Sequence, residues 1–130
     1  MARPEWQAGL DPFIEFLGIR IVVEQELPGF LELDLVPSHA NRFDVAHGGV
    51  LMTLLDVMMA RACQAADALA RSPITIEMKA SFIRPGQGRL RCSGNCLHAS
   101  KSLAHAEARI TDAAGEIVAS ASGTYKYSRA

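Results

Sequence analysis

Asp56 stands inside a run from Val50 to Ala62 that is otherwise almost wholly apolar. Taking even a neutral polar group out of water without a partner costs ~2–7 kcal/mol, and a carboxylate costs more. An acid kept there is either paired or used. Ionised, it can take a proton from water or attack a carbonyl carbon itself. A little upstream stand His47-Gly48-Gly49, where a helix is expected to begin. A helix start leaves up to four backbone N–H groups without internal partners, at the positive end of the dipole. No Ser, Thr, Asp or Asn lies close enough to cap it, because the preceding residues are Val45, Ala46 and His47. Those amides are expected to be free for a carbonyl or oxyanion, and glycine lets a ligand approach the backbone. Asn41, six residues before His47, can hydrogen-bond a carbonyl or a water. His47 can orient that amide or titrate near neutrality.

Each feature alone has a plainer reading. Asp56 can be an acid reaching a polar subunit interface, Gly48-Gly49 an ordinary loop-to-helix junction, and His47 a solvated side chain. Spacing links them differently. Asp56 is seven residues beyond Gly49, about 10 Å along a helix axis, too far to act on a group held at the same helix start. Two such helices side by side and antiparallel in a symmetric dimer would bring one chain's Asp56 to the other's Gly48.

The elements that must position these groups follow from pattern. Leu10 to Phe16 reads as a short helix with Asp11 capping and Pro12 in the first turn. IRIVVEQEL and GFLELDLV flank Pro28-Gly29 and predict a hairpin. PSHANRFDVA is an irregular loop of about ten residues, a length that is often functional. From about Gly49 to Ala70, Leu, Met and Ala dominate without Pro or further Gly, predicting one long helix. It is apolar on nearly every side at first, hence buried, and one-sided later, with Arg61, Gln64, Asp67 and Arg71 expected to be exposed. A pocket lined by Met52, Leu55, Met58 and Met59 would be apolar and adaptable.

After Pro73 the chain reads as β-structure. ITIEMKASFI predicts Ile74, Ile76, Met78, Ala80 and Phe82 on one face, with Thr75, Glu77, Lys79 and Ser81 on the other. Three further strands follow, joined by short turns that imply antiparallel pairing. The expected class is α+β, one antiparallel sheet wrapped around one long central helix.

The chain has 130 residues, 49% hydrophobic and 21% charged, consistent with a single domain over 1–130. A net charge of −1 argues against a nucleic-acid partner held by bulk electrostatics. No uninterrupted apolar run reaches the roughly 18 residues of a membrane span, and MARPEWQAGLDPF lacks a secretory layout. Cys63, Cys92 and Cys96 make an odd count, read as reduced thiols of a cytoplasmic protein. Cys92 and Cys96 fall on one side of a strand, as core filling. His39, His98 and His105 have no ligand spacing, so no metal is expected.

Asn41, His47-Gly48-Gly49 and Asp56, in the spacing N-x5-HGG-x6-D, precede a buried helix and four strands. With the strand ending F-I-R-P-G and the segment H-A-S-K-S-L, this resembles the hotdog-fold acyl-CoA thioesterases, in the branch of phenylacetic acid degradation enzymes. The resemblance covers about Leu17 to Tyr127. Asp44 departs from the usual Gly, although Asp tolerates the left-handed backbone region. The resemblance implies that Asp56 activates water or attacks the thioester carbonyl. It implies that the Gly48 N–H polarises that carbonyl, that Asn41 positions thioester or water, and that His47 orients Asn41. Thr75 matches a hydroxyl position that assists the water. Phe82, Ile83, Arg84, Pro85, Gly86, Ser100, Lys101, Ser102 and Lys126 match CoA-contacting positions, with Arg89 and Arg91 nearby read as solvated surface charges. It further implies a homodimer with shared sites, assembled into a homotetramer as a dimer of dimers, with no cofactor beyond the CoA of the substrate. A hotdog hydratase or dehydratase and a non-catalytic acyl-CoA binding module are the rival readings.

Overall fold

The computed structural model describes residues 11–128. Helix α1 spans Pro12–Leu17, with the Asp11 carboxylate accepting the Phe13 N–H at 3.1 Å and Gly18 closing it at φ 81°. Leu10, the expected start of this helix, lies outside the described residues. Strands β1 (Arg20–Val22) and β2 (Phe30–Asp34) form the hairpin around Pro28-Gly29. Only three pairs form, because β1 stops before the exposed, charged Glu24–Glu26 stretch. The loop that follows is less irregular than expected. It holds a 3-10 turn, Pro37–His39, and an Ala40–Ala46 bridge. His39 is buried there, its Nδ1 accepting the Val36 N–H and its Nε2 2.7 Å from the Leu17 carbonyl.

Helix α2, Gly48–Ala66, is the core. It ends before Ala70 because the Asp67 carboxylate takes the Arg71 N–H and guanidinium, turning the backbone out of the helix. By length and mean hydropathy, 1.3, it would pass for a membrane span. Instead the sheet wraps it: Leu54, Leu55, Met58, Met59 and Cys63 are fully buried. Arg61 and Gln64, expected to be exposed, are buried too. The Arg61 guanidinium donates to the Pro28 carbonyl at 2.9 Å, and Gln64 to the Ala70 carbonyl at 3.1 Å. Partners distant in sequence decided their placement. The stripe left partly open is Met52, Thr53, Asp56, Val57 and Ala60.

Strands β3 (Pro73–Phe82), β4 (Arg89–Ala99), β5 (Leu103–Thr111) and β6 (Ile117–Tyr127) complete one six-stranded antiparallel sheet ordered β1-β2-β4-β5-β6-β3. This is the hotdog architecture. Cys92 is buried and Cys96 half-buried against the same core. Strand β3 is a long edge, and its expected alternation is corrected at one point. A bulge between Thr75 and Glu77 makes Ile76 an extra residue, so Thr75 pairs with Tyr125 and Glu77 with Thr124. Thr75 therefore shares the helix-facing side with Met78, Ala80 and Phe82, whose partners are Gly123, Ala121 and Ala119. Ile74 is turned to the other face and is exposed, as is Ile76.

Candidate active site

Helix α2 presents Asp56 on its open stripe, and two strands supply hydroxyls to it. The Thr75 hydroxyl donates to Asp56 Oδ1 at 2.7 Å, and the Tyr125 hydroxyl donates to the same oxygen at 2.8 Å. Tyr125 also reaches the Asp56 main-chain carbonyl at 3.1 Å. The bulge in β3 makes the first of these bonds possible. Burial, and next the negative charge of Asp56, push the Tyr125 phenol well above its ordinary range, so it stays a donor. Oδ2 has no protein partner among the described residues. Beside Asp56 opens a cavity of about 320 Å³ lined by Phe13, Ile14, Met52, Thr53, Val57 and Met78, with Asp11 at its wall.

The expected apolar lining is corrected accordingly. Met52 faces the cavity, but Leu55, Met58 and Met59 point into the sheet and are fully buried. Met52, Thr53 and Ala60, three or four residues from Asp56, share its face; Met59, also three residues away, lies on the flank that the sheet covers, and Leu55 and Met58 lie farther round the helix.

The helix start is capped after all. His47 Nδ1 accepts the Gly49 N–H at 2.9 Å, a role no Ser, Thr, Asp or Asn was placed to fill. The Val50 and Leu51 amides bond the His47 carbonyl at 2.9 and 3.2 Å. That leaves the Gly48 N–H as the one first-turn amide without a partner among the described residues. Asn41 is oriented by its own loop and not by His47. Its Oδ1 accepts the Phe43 N–H at 2.9 Å and the Val45 N–H at 3.5 Å, leaving its side-chain amide hydrogens to donate outward. Asp44, at φ 63°, adopts the left-handed backbone region that Asp tolerates better than most residues.

The positions matched to CoA contacts fall into two groups at opposite ends of β3, about 30 Å apart at ~3.3 Å per residue. Phe82 and Ile83 are half-exposed near Gly48, an added Cβ of which would lie 3.8 Å from the Phe82 ring. Gly86 is buried and accepts the Ala46 N–H at 2.9 Å, with Pro85 exposed before it. Arg84 donates to the Ile117 carbonyl at 2.7 Å and pairs with Glu116 at 3.4 Å. At the other end, Ser100 ties off its turn through Leu103, the Ser102 carbonyl accepts the Tyr127 N–H, and Lys101 and Lys126 are exposed. Arg89 and Arg91 are held by Asp34 at 2.7 Å and Glu32 at 2.9 Å. In one chain, then, Thr75 joins Asp56, while Gly48, Asn41 and the Phe82–Gly86 segment gather at the helix start.

Tyr125 was not among the residues singled out from sequence. The signal for it is weak: an inward position on β6, where a buried phenol must find a partner for its hydroxyl.

A family model described as the thioesterase superfamily matches residues 43–119, from the loop of Asn41 through helix α2 into β6. The chain belongs to the thioesterase superfamily. Among solved structures, a conserved protein of Pseudomonas aeruginosa is similar over 96% of this chain and 100% of its own, with 28% identity and a TM-score of 0.86. The Escherichia coli PaaI protein from the phenylacetic acid degradation operon shares the fold at TM-score 0.85 and 21% identity, over 96% of this chain and 90% of that one. A Bacillus halodurans protein solved with CoA is 27% identical, with a TM-score of 0.71, over 74% of this chain and 68% of that one. Thioester hydrolysis is the reaction that names this superfamily, and the match runs from the loop before helix α2 through β3, β4 and β5 into β6.

Proposed function

We propose that this thioesterase hydrolyses an acyl-CoA in a site built from two chains. One observation carries the reading: a carboxylate held by two hydroxyls opens onto an apolar cavity, while the unpartnered Gly48 N–H of the same helix is eight residues away, about 12 Å along the axis. Neither group can serve the other's substrate atom within one chain. Antiparallel pairing of two β3 edges removes the gap, setting one helix start against the partner's Asp56. It also brings the Phe82–Gly86 segment of one chain to the Lys101 and Lys126 end of the other, as one continuous CoA path. The long β3 edge, unpaired among the described residues and carrying the exposed Ile74 and Ile76, supports that pairing. A dimer of dimers would then make the tetramer.

In the reaction, Asp56 takes a proton from water as the water oxygen bonds to the thioester carbon. The Gly48 N–H of the partner chain holds the oxyanion, and the Asn41 amide orients the thioester. Collapse breaks the C–S bond, and the proton passes to the thiolate, giving acid and CoA. The Phe13, Ile14, Met52, Val57 and Met78 walls suit an aryl-acetyl, benzoyl or medium-chain acyl group. The CoA bound to the Bacillus halodurans relative supports the thiol half of the substrate.

The test is a panel of acyl-CoAs followed by a thiol-detecting dye, with wild type and Asp56→Ala in parallel. Wild type should release CoA from at least one aryl or medium-chain thioester, and Asp56→Ala should lose about 10²–10⁴ in kcat. Equal release by both proteins would refute the assignment of Asp56. Tight acyl-CoA binding with no release would favour a binding module.

A further inference from the structure

Two hydroxyls from different strands converge on one oxygen of Asp56, and the other oxygen is left to the cavity. A carboxylate has about four lone-pair sites, two on each oxygen. The Thr75 bond at 2.7 Å and the Tyr125 bond at 2.8 Å together occupy those of Oδ1. Tyr125 is fully buried, and the Asp56 main-chain carbonyl at 3.1 Å would have been enough to satisfy its hydroxyl. Its shorter bond goes instead to the carboxylate. The ring is wedged between helix and sheet, since an added Cβ at Gly123 would lie 3.1 Å from it and 3.2 Å from the Met59 methyl. A donor mounted this firmly fixes the direction in which Asp56 points.

We propose that Tyr125 is a positioning residue for hydrolysis, which together with Thr75 anchors Asp56 Oδ1 so that Oδ2 alone meets the reacting water. This rests on the hydrolytic reading above and adds to it which oxygen acts. The water proton goes to Oδ2 as the O–C bond forms, and leaves Oδ2 for the departing sulfur as the C–S bond breaks. Oδ1 keeps both donors throughout. Without them the carboxylate swings about its two side-chain torsions, and misplacement by about 1 Å is enough to cost ~10² in rate.

The experiment compares Tyr125→Phe, Thr75→Val, Thr75→Ser and Asp56→Ala on the acyl-CoA that wild type hydrolyses fastest, reading kcat and KM separately. Tyr125→Phe and Thr75→Val should each lower kcat about ten- to a hundredfold with KM within about twofold, because neither hydroxyl is spent on binding substrate. Thr75→Ser should keep wild-type kcat. Should Tyr125→Phe fail to fold, the threonine pair still decides: a kcat lost in Thr75→Val and kept in Thr75→Ser supports the anchored oxygen. Wild-type kcat in Tyr125→Phe, or in Thr75→Val, overturns it. A dead Asp56→Ala beside an unimpaired Tyr125→Phe removes the positioning role alone. An active Asp56→Ala removes the hydrolytic reading and the positioning role together.

Discussion

Gly48 can be stripped of its N–H with almost no other change. It is the first residue of α2, where proline is favoured because that amide has no helical partner. His47 before it sits at φ −60°, ψ 139°, the region that a following proline demands. An added Cβ meets only the Phe82 ring, at 3.8 Å. Gly48→Pro should therefore melt close to wild type, yet lose about 10²–10³ in kcat, the usual consequence of deleting an oxyanion donor. Thiol-release kinetics beside a thermal melt check both halves, and undiminished kcat would show that the amide holds nothing. Arg61 marks the opposite kind of residue, a buried guanidinium with a structural task. Its burial lowers its pKa, and it binds the Pro28 carbonyl to the central helix. Arg61→Met should leave that carbonyl short of a donor and cost about 1–3 kcal/mol, read as a lower urea midpoint with kcat retained.

At the scale of elements, β1, β2 and β4 are laced by charge. Arg20 bridges Glu32 at 3.3 Å and Asp34 at 3.0 Å, and Arg91 and Arg89 pair with the same two acids. The Arg91 guanidinium holds Glu32 below its ordinary 4.5, and Arg89 holds Asp34 below its ordinary 3.8. Folded-state values depressed in this way stabilise the protein fully above the ordinary values and lose that contribution as pH falls through the lowered ones. Thermal midpoints should stay level above about pH 5 and decline below about pH 4. Glu32→Gln should flatten part of that decline, and an unchanged slope would show the network to be inert. Much of this architecture was readable from periodicity. The long apolar helix, the four strands after it, the loop glycines and the acid in the wrong company were all legible. What escaped was decided by partners far along the chain. Arg61 looked like a surface charge because Pro28 is 33 residues away. Thr75 looked outward because strict alternation hides a bulge, and a bulge is set by strand pairing. The His47 cap escaped because it depends on ring geometry at the turn, which residue type does not reveal.

For the whole molecule, one helix holds the Gly48 amide and the Asp56 carboxylate about 12 Å apart along its axis. In the proposed dimer a second, reversed copy closes that distance. The hydroxyl-held acid, the open amide, the divided CoA positions and the unpaired β3 edge all fit one twofold pairing. That claim is tested most directly by complementation. Asp56→Ala and Gly48→Pro chains are prepared separately, then unfolded, mixed in equal amounts and refolded together. In a mixed dimer one site carries both lesions and the other carries neither. With half the dimers mixed, thiol release should recover to about a quarter of the wild-type specific activity. Activity no higher than the average of the two variants alone, in a sample shown to contain mixed dimers, would mean that each chain builds its own site.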